Sequence, residues 1–198
     1  MGFGDGISWE AHVGQVVDGK TTKEVLHPYD ANMQWVVKQI RDVLPKEYQE
    51  GRQPKFIDCG CHVGRWSDVF VQAGFDYTGV DQSELALEYA RKNFPHLKWV
   101  YSFLWDMPFE NEFDVAATIA VLQHNKLEEQ ERVVAAIRKA LRVGGVFMMM
   151  ESTTDADTTS QRTHEHWVEM VQRHGFKLVT TWHKNELGHN DAYLFTAI

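Results

Sequence analysis

Two short stretches carry the residues best placed for chemistry. Lys55-Phe56-Ile57-Asp58-Cys59-Gly60-Cys61-His62-Val63-Gly64 takes an apolar run into an acid and then into a turn with two glycines. Tyr77-Thr78-Gly79-Val80-Asp81 ends a second apolar run in another acid. A glycine turn lets a ligand approach main chain, and an acid at the next strand tip can accept hydrogen bonds from ribose hydroxyls. A dinucleotide loop would read G-x-G-x-x-G. Counted from Gly60, its second and third glycine positions hold His62 and Arg65. The phosphate loop G-x-x-x-x-G-K-[ST] fails as well, because Arg65 stands at its second glycine. A diphosphate is therefore not the expected ligand. Asp58 puts negative charge at the turn, so a phosphate-free nucleoside bearing a cationic group fits better.

Helix and strand patterns alternate along the chain, which argues for a mostly parallel sheet. Met33, Val36, Val37, Ile40, Val43 and Leu44 share one face of a predicted helix over 30–44. Residues 51–54 read as a linker. Strands are expected at 55–59, 76–80, 97–102, 114–118, 146–151, 177–183 and 192–198. Helices are expected at 64–73, 83–93, 127–141 and 166–174, with Gly144-Gly145 ending the third of these. In open α/β sheets a ligand binds outside the carboxyl ends of the strands. Here those ends are Asp58 to Gly60, Asp81, Ser102 to Leu104, Thr118 to Val121, and Glu151, so all five converge on one crevice.

The 198 residues suffice for one domain with a sizeable core, taken as 1–198. Within it, 1–50 is expected to be an N-terminal helical cap segment and 51–198 a Rossmann-like core. A hydrophobic content of 43% excludes a disordered chain. No apolar run reaches the ~18 residues of a membrane span, and no basic, apolar leader opens the sequence. The formal charge is −8 with no Lys/Arg cluster, which disfavours nucleic-acid substrates. The two cysteines, Cys59 and Cys61, suit neither a structural disulfide nor a zinc site, so a reducing cytoplasm is the default expectation.

The chain resembles the class I S-adenosylmethionine-dependent methyltransferases of the small-molecule type. Five signals carry the resemblance, in the family's order, across 55–151. They are the acid-led loop Asp58 to Gly64, the strand-closing acid in Gly79-Val80-Asp81-Gln82-Ser83, and Met107-Pro108-Phe109 before Phe113-Asp114. Leu122-Gln123-His124 and Leu141-Arg142-Val143-Gly144-Gly145 complete the set. The resemblance implies an α/β, Rossmann-like class I methyltransferase fold. Its seven-stranded sheet has the order 3-2-1-4-5-7-6, with strand 7 antiparallel and helices on both faces. It implies S-adenosyl-L-methionine as cofactor, held by Asp58, Cys59, Gly60, Cys61, Gly64, Asp81, Gln82, Phe103, Leu104, Ile119 and Ala120. Two positions depart from the family pattern. His62 replaces the loop's middle glycine. Phe103 stands where an Asp often meets the adenine amino group, so stacking or main-chain contacts from Leu104 must substitute for it.

The expected reaction is methyl transfer to an oxygen or nitrogen of a small-molecule acceptor. Positioning alone can contribute ~7 to 11 kcal/mol to such a displacement. His124 and Glu151 are the candidate catalytic residues. Trp9, His12, His124, Glu151, His164 and His166 are the candidate acceptor contacts, with Tyr29, Trp66, Trp105 and Trp167 as further aromatic lining. Imidazole and carboxylate groups at His164, His166 and Glu151 lack a diagnostic ligand spacing, and no metal is expected. Two rival readings remain: a cofactor-binding module without catalysis, and a nicotinamide oxidoreductase. The oligomeric state, a homodimer included, is left open by the sequence.

Overall fold

The computed structural model describes residues 30–153, 162–183 and 190–198. Seven strands form one sheet: β1 (Lys55–Cys59), β2 (Asp76–Asp81), β3 (Lys98–Tyr101), β4 (Phe113–Ile119), β5 (Leu141–Glu151), β6 (Phe176–Trp182) and β7 (Asp191–Ala197). Their spatial order is β3-β2-β1-β4-β5-β7-β6. The first five strands pair in parallel, and β7 runs antiparallel to both β5 and β6. The order and the reversed seventh strand agree with the expectation. Because β7 runs backwards, its first residue lies at the same end as the last residue of β5. Glu151 pairs with Asp191 there.

The described helices are α1 (Asp30–Val43), α2 (Lys46–Gln49), α3 (Ser67–Gln72), α4 (Glu84–Asn93), α5 (Leu127–Ala140) and α6 (His164–Arg173). Side chains of the sheet alternate between two apolar layers, as a period of two requires. Along β5, Val146, Met148 and Met150 join Met33, Val36 and Ile40 of α1 and Phe70 of α3. Phe147 and Met149 face Val133, Val134 and Ile137 of α5 and Trp167, Met170 and Val171 of α6. The N-terminal segment expected as a cap thus supplies a helix that packs on one face of the sheet. At ~25 cal/mol per Å² of apolar area buried, these two layers are the main favourable term in folding.

Three local expectations are corrected. The strand expected from 146 begins at Leu141, where Leu141 pairs with Phe113; the ladder then shifts register before Val115 meets Val146. Gly144 has a φ of 78° inside that irregularity, so the Gly-Gly pair bends a strand, and the helix before it ends at Ala140. The helix expected from 64 begins at Ser67, after a turn closed by Gly64 N–H to the Cys61 carbonyl (2.9 Å). The four-residue α2 precedes the expected linker. Its Tyr48 hydroxyl donates to Asp114 Oδ1 (2.5 Å), Lys55 N–H donates to Asp114 Oδ2 (2.8 Å), and Arg142 Nη1 pairs with the same carboxylate (2.5 Å). A buried acid at the start of β4 is thereby satisfied from three directions.

Candidate active site

The turn after β1 is shaped by main chain. Gly60 N–H and Cys61 N–H both donate to the Val80 carbonyl, at 2.8 and 3.1 Å. Gly60 has a φ of 86°, and a Cβ there would lie 2.6 Å from Val121 Cγ2. Only glycine lets the turn come this close to the loop after β4. His62 has a φ of 50° and so keeps the left-handed conformation that a glycine would adopt at the family position. Its N–H donates to Asp81 Oδ2 (2.8 Å), while Ser83 N–H donates to Asp81 Oδ1 (2.8 Å). The Asp81 carboxylate is oriented by these two bonds. Ser83 caps α4 by accepting from Ala86 N–H.

A cleft of about 330 Å³ opens over these residues. It is lined by Gly60, Cys61 and His62 after β1, by Asp81 and Gln82 after β2, and by Leu104 and Trp105 after β3. Ile119, Ala120, Val121, His124 and Asn125 line it after β4, and Arg65 and Trp66 come from the turn before α3. The volume lies within the ~300–1,000 Å³ typical of small-molecule sites. Four of the five expected strand ends thus meet in one crevice; the fifth, at Glu151, does not line it.

Asp58, Cys59, Gly64, Phe103 and Glu151 do not line the cleft. Asp58 is 1% exposed and points beneath the turn, where Tyr77 Oη donates to its Oδ2 (2.6 Å). Burial raises its pKa to about 7; the Tyr77 bond opposes this, and the Asp81 charge adds to it. Cys59 is fully buried and Cys61 nearly so. Burial, with the neighbouring acids adding, pushes both thiols well above their ordinary range, so neither is an activated nucleophile. Gly64 approaches the Trp99 ring, 2.6 Å from where a Cβ would sit. Phe103 is half-exposed and stacks on Trp105 with ring centroids 5.1 Å apart, so it supports the cleft wall through that neighbour.

Glu151 corrects the expectation of a substrate-facing acid. It is fully buried, and its oxygens accept from Val121 N–H (3.0 Å) and Gln123 N–H (3.2 Å). Burial raises it to about 7 against the pull of these main-chain bonds. It therefore holds the loop after β4. Gln123 Oε1 accepts from Ser152 N–H (2.6 Å), which turns its Nε2 toward His124 Nε2 at 3.4 Å. That contact is a hydrogen bond only in the tautomer that leaves Nε2 as the acceptor. Asn125 Nδ2 donates to the Val121 carbonyl (2.8 Å), and Gln130 Nε2 donates to the carbonyls of Leu122 and Asn125 (both 3.0 Å).

Of the acceptor candidates among the described residues, only His124 lines the cleft. Trp9 and His12, with Tyr29, lie outside the described residues. His166 is on the exposed side of α6, and its N–H donates to Thr163 Oγ1 at the helix cap. Trp167 is fully buried, with its indole N–H donating to the Ser152 carbonyl (3.1 Å). Trp66 and Trp105 line the cleft. Arg65 and Asn125 were not among the sequence candidates. Arg65 drew notice only for breaking two phosphate motifs, and the glycine contact that brings Val121 inward has no sequence signature. No described helix is long and apolar enough to cross a membrane.

Comparisons with known proteins agree with this architecture. The sequence profile of the methyltransferase domain family matches residues 56–145. An uncharacterized methyltransferase from a Synechocystis strain, sll0829, is 29% identical over 98 residues. That match spans 49% of this chain and 46% of the relative, so the chain aligns with about half of that protein's length. Among solved structures, a TehB-like SAM-dependent methyltransferase from Corynebacterium glutamicum superposes with a TM-score of 0.67 at 23% identity. It covers 82% of this chain and 86% of its own. SAM-bound CalS10, an amino pentose methyltransferase from Micromonospora echinaspora, gives 0.71 at 14% identity, covering 87% and 92%. The sheet order and the reversed last strand are thus the fold of these S-adenosylmethionine-dependent methyltransferases, and within it residues 56–145 are similar to the methyltransferase domain family.

Proposed function

We propose that this protein transfers a methyl group from S-adenosyl-L-methionine to an oxygen or nitrogen of a small-molecule acceptor. The observation that carries the reading is the Asp81 carboxylate, aimed by two main-chain N–H groups into a cleft walled by the ends of four strands. Bound there, the cofactor supplies an electrophilic methyl group on a sulfonium. The residues present fit it. Asp81 accepts from the ribose hydroxyls, and Gln82 and Leu104 flank the adenine. Gly60, Ile119 and Ala120 present main chain to the methionine portion. Ala120 has a φ of 55° and its N–H donates to the Met150 carbonyl, which turns the chain sharply at the end of β4. Asp58 is a positioning residue, placing charge beneath the turn with Tyr77. Arg65 offers a cation to a carboxylate.

The acceptor occupies the side of the cleft between His124, Asn125, Trp66 and Trp105. His124 takes the proton of a hydroxyl or ammonium acceptor. Glu151 keeps the loop that carries it in place. The single domain, 1–198, works on a diffusible metabolite in the cytoplasm; the net charge of −8 supports a non-nucleic-acid substrate. Two measurements test this: calorimetry with S-adenosylmethionine and its demethylated product, and release of that product across a metabolite panel. Binding with turnover supports the reading. Binding without turnover on any acceptor would favour a non-catalytic module, and binding of a nicotinamide dinucleotide would overturn it.

A further inference from the structure

A second cluster of donor atoms lies at the β5–β7–β6 side of the sheet. It comprises His164, the first residue of α6, His183, the residue after β6, and Asp191, the first residue of β7. One donor atom from each lies within 4.8 Å of the others. The antiparallel course of β7 is what brings them together, since it returns Asp191 to the end where β6 stops. His164 Nδ1 is buried and has no hydrogen-bond partner. Its ring is packed between His183 and Tyr193, with centroids 5.3 and 5.2 Å away. Asp191 is 4% exposed, and Thr153 Oγ1 donates to its Oδ2 at 2.8 Å, fixing the carboxylate plane. His183 Nδ1 stands 3.8 Å from the same oxygen, too far for a hydrogen bond.

We propose that His164, His183 and Asp191 bind a divalent transition-metal ion. A buried imidazole nitrogen without a partner is costly, and an ion removes that cost. Two imidazoles and one carboxylate suit zinc, cobalt or nickel; magnesium and calcium require all-oxygen sets. Metal bonds of about 2.0 to 2.2 Å place tetrahedral donors about 3.4 Å apart, so the present cluster is about 1 Å too open. His183, whose side chain is 64% exposed, has the freedom to close that gap by a rotamer change. Thr153 plays the orienting role that outer partners of metal ligands play. Three protein ligands leave one position for water. The site is distinct from the cleft: none of its ligands lines it. Its existence does not depend on the methyl-transfer reading.

The test uses the full chain stripped of metal with a chelator and titrated with Co²⁺, followed by visible absorption, and with Zn²⁺, followed by calorimetry and thermal melting. One ion per chain should bind with the absorption bands of a four-coordinate nitrogen–oxygen site, and zinc should raise the melting temperature. His183→Ala and His164→Ala should each weaken binding by at least ~10-fold and abolish the zinc-dependent rise. His96→Ala, a surface histidine at the opposite edge of the sheet, should change neither. His183→Ala removes an exposed side chain, so it remains interpretable if His164→Ala fails to fold. Absence of saturable binding by the wild-type chain would overturn the proposal, leaving the pair His183–Asp191 as a simple ion pair. So would binding that survives His183→Ala undiminished.

Discussion

Asp58 and Asp81 end neighbouring parallel strands, yet only Asp81 opens into the cleft. Asp58 pairs in register with Gly79, two residues short of Asp81, and its carboxylate turns under the loop to Tyr77. One acid lines the cleft, and the other is buried beneath the turn.

Asp81→Asn should preserve the fold and weaken S-adenosylhomocysteine binding by about 10- to 100-fold. That range follows from ~1.5 to 3 kcal/mol for hydrogen bonds to a charged group. Calorimetry checks it; unchanged affinity would remove Asp81 from the ribose site.

Asp58 and Glu151 make stability depend on pH. Both are raised to about 7 in the folded chain, whereas an unfolded Asp or Glu titrates at 3.8 or 4.5. Between those values the folded state holds more protons than the unfolded one, so unfolding free energy falls as pH rises from about 4 to about 7. Denaturant midpoints should decline across that window without ligand, and Asp58→Asn should flatten the decline. A cationic ligand held above Asp58 should favour its ionised form, so binding near neutral pH should release protons. The apparent binding heat should then vary with the ionisation enthalpy of the buffer.

Gly60→Ala forces a positive φ on alanine and drives its methyl into Val121. A loss of about 2 to 4 kcal/mol is expected in equilibrium unfolding. Val121→Ala in the same chain should recover the packing part and leave the backbone part. Equal losses with and without Val121→Ala would show that the contact is not the cause.

His124→Ala should lower kcat by about 10²-fold or more while cofactor affinity stays within about twofold, the pattern of a base. Glu151→Gln should impair both, because it loosens the loop that carries Val121 as well as His124. Normal turnover in His124→Ala would leave that ring a structural role.

The turn after β1 and the acid closing β2 were legible in the sequence, since Asp58 to Gly64 and Asp81 are local patterns in which spacing fixes position. What was not legible is which way a side chain faces after a turn. Identity alone could not distinguish the buried Asp58 from the open Asp81, or show that Glu151 serves the main chain of Val121 and Gln123. The long β5 was hidden because Gly144-Gly145 reads as a helix stop, while pairing of Leu141 with Phe113 overrides that local preference. The His164, His183 and Asp191 cluster has no motif, because a strand reversal assembles it and its sequence spacing matches no ligand pattern.

The three-way fastening at Asp114 lies at the amino end of β4, at the opposite end of the strands from the cleft. It joins the segment before the first strand to the bend in the fifth without involving any group that meets a substrate. The cleft can therefore be rebuilt for another acceptor while this remote clasp keeps the framework shut, and damage to the clasp should disable the protein without touching its chemistry.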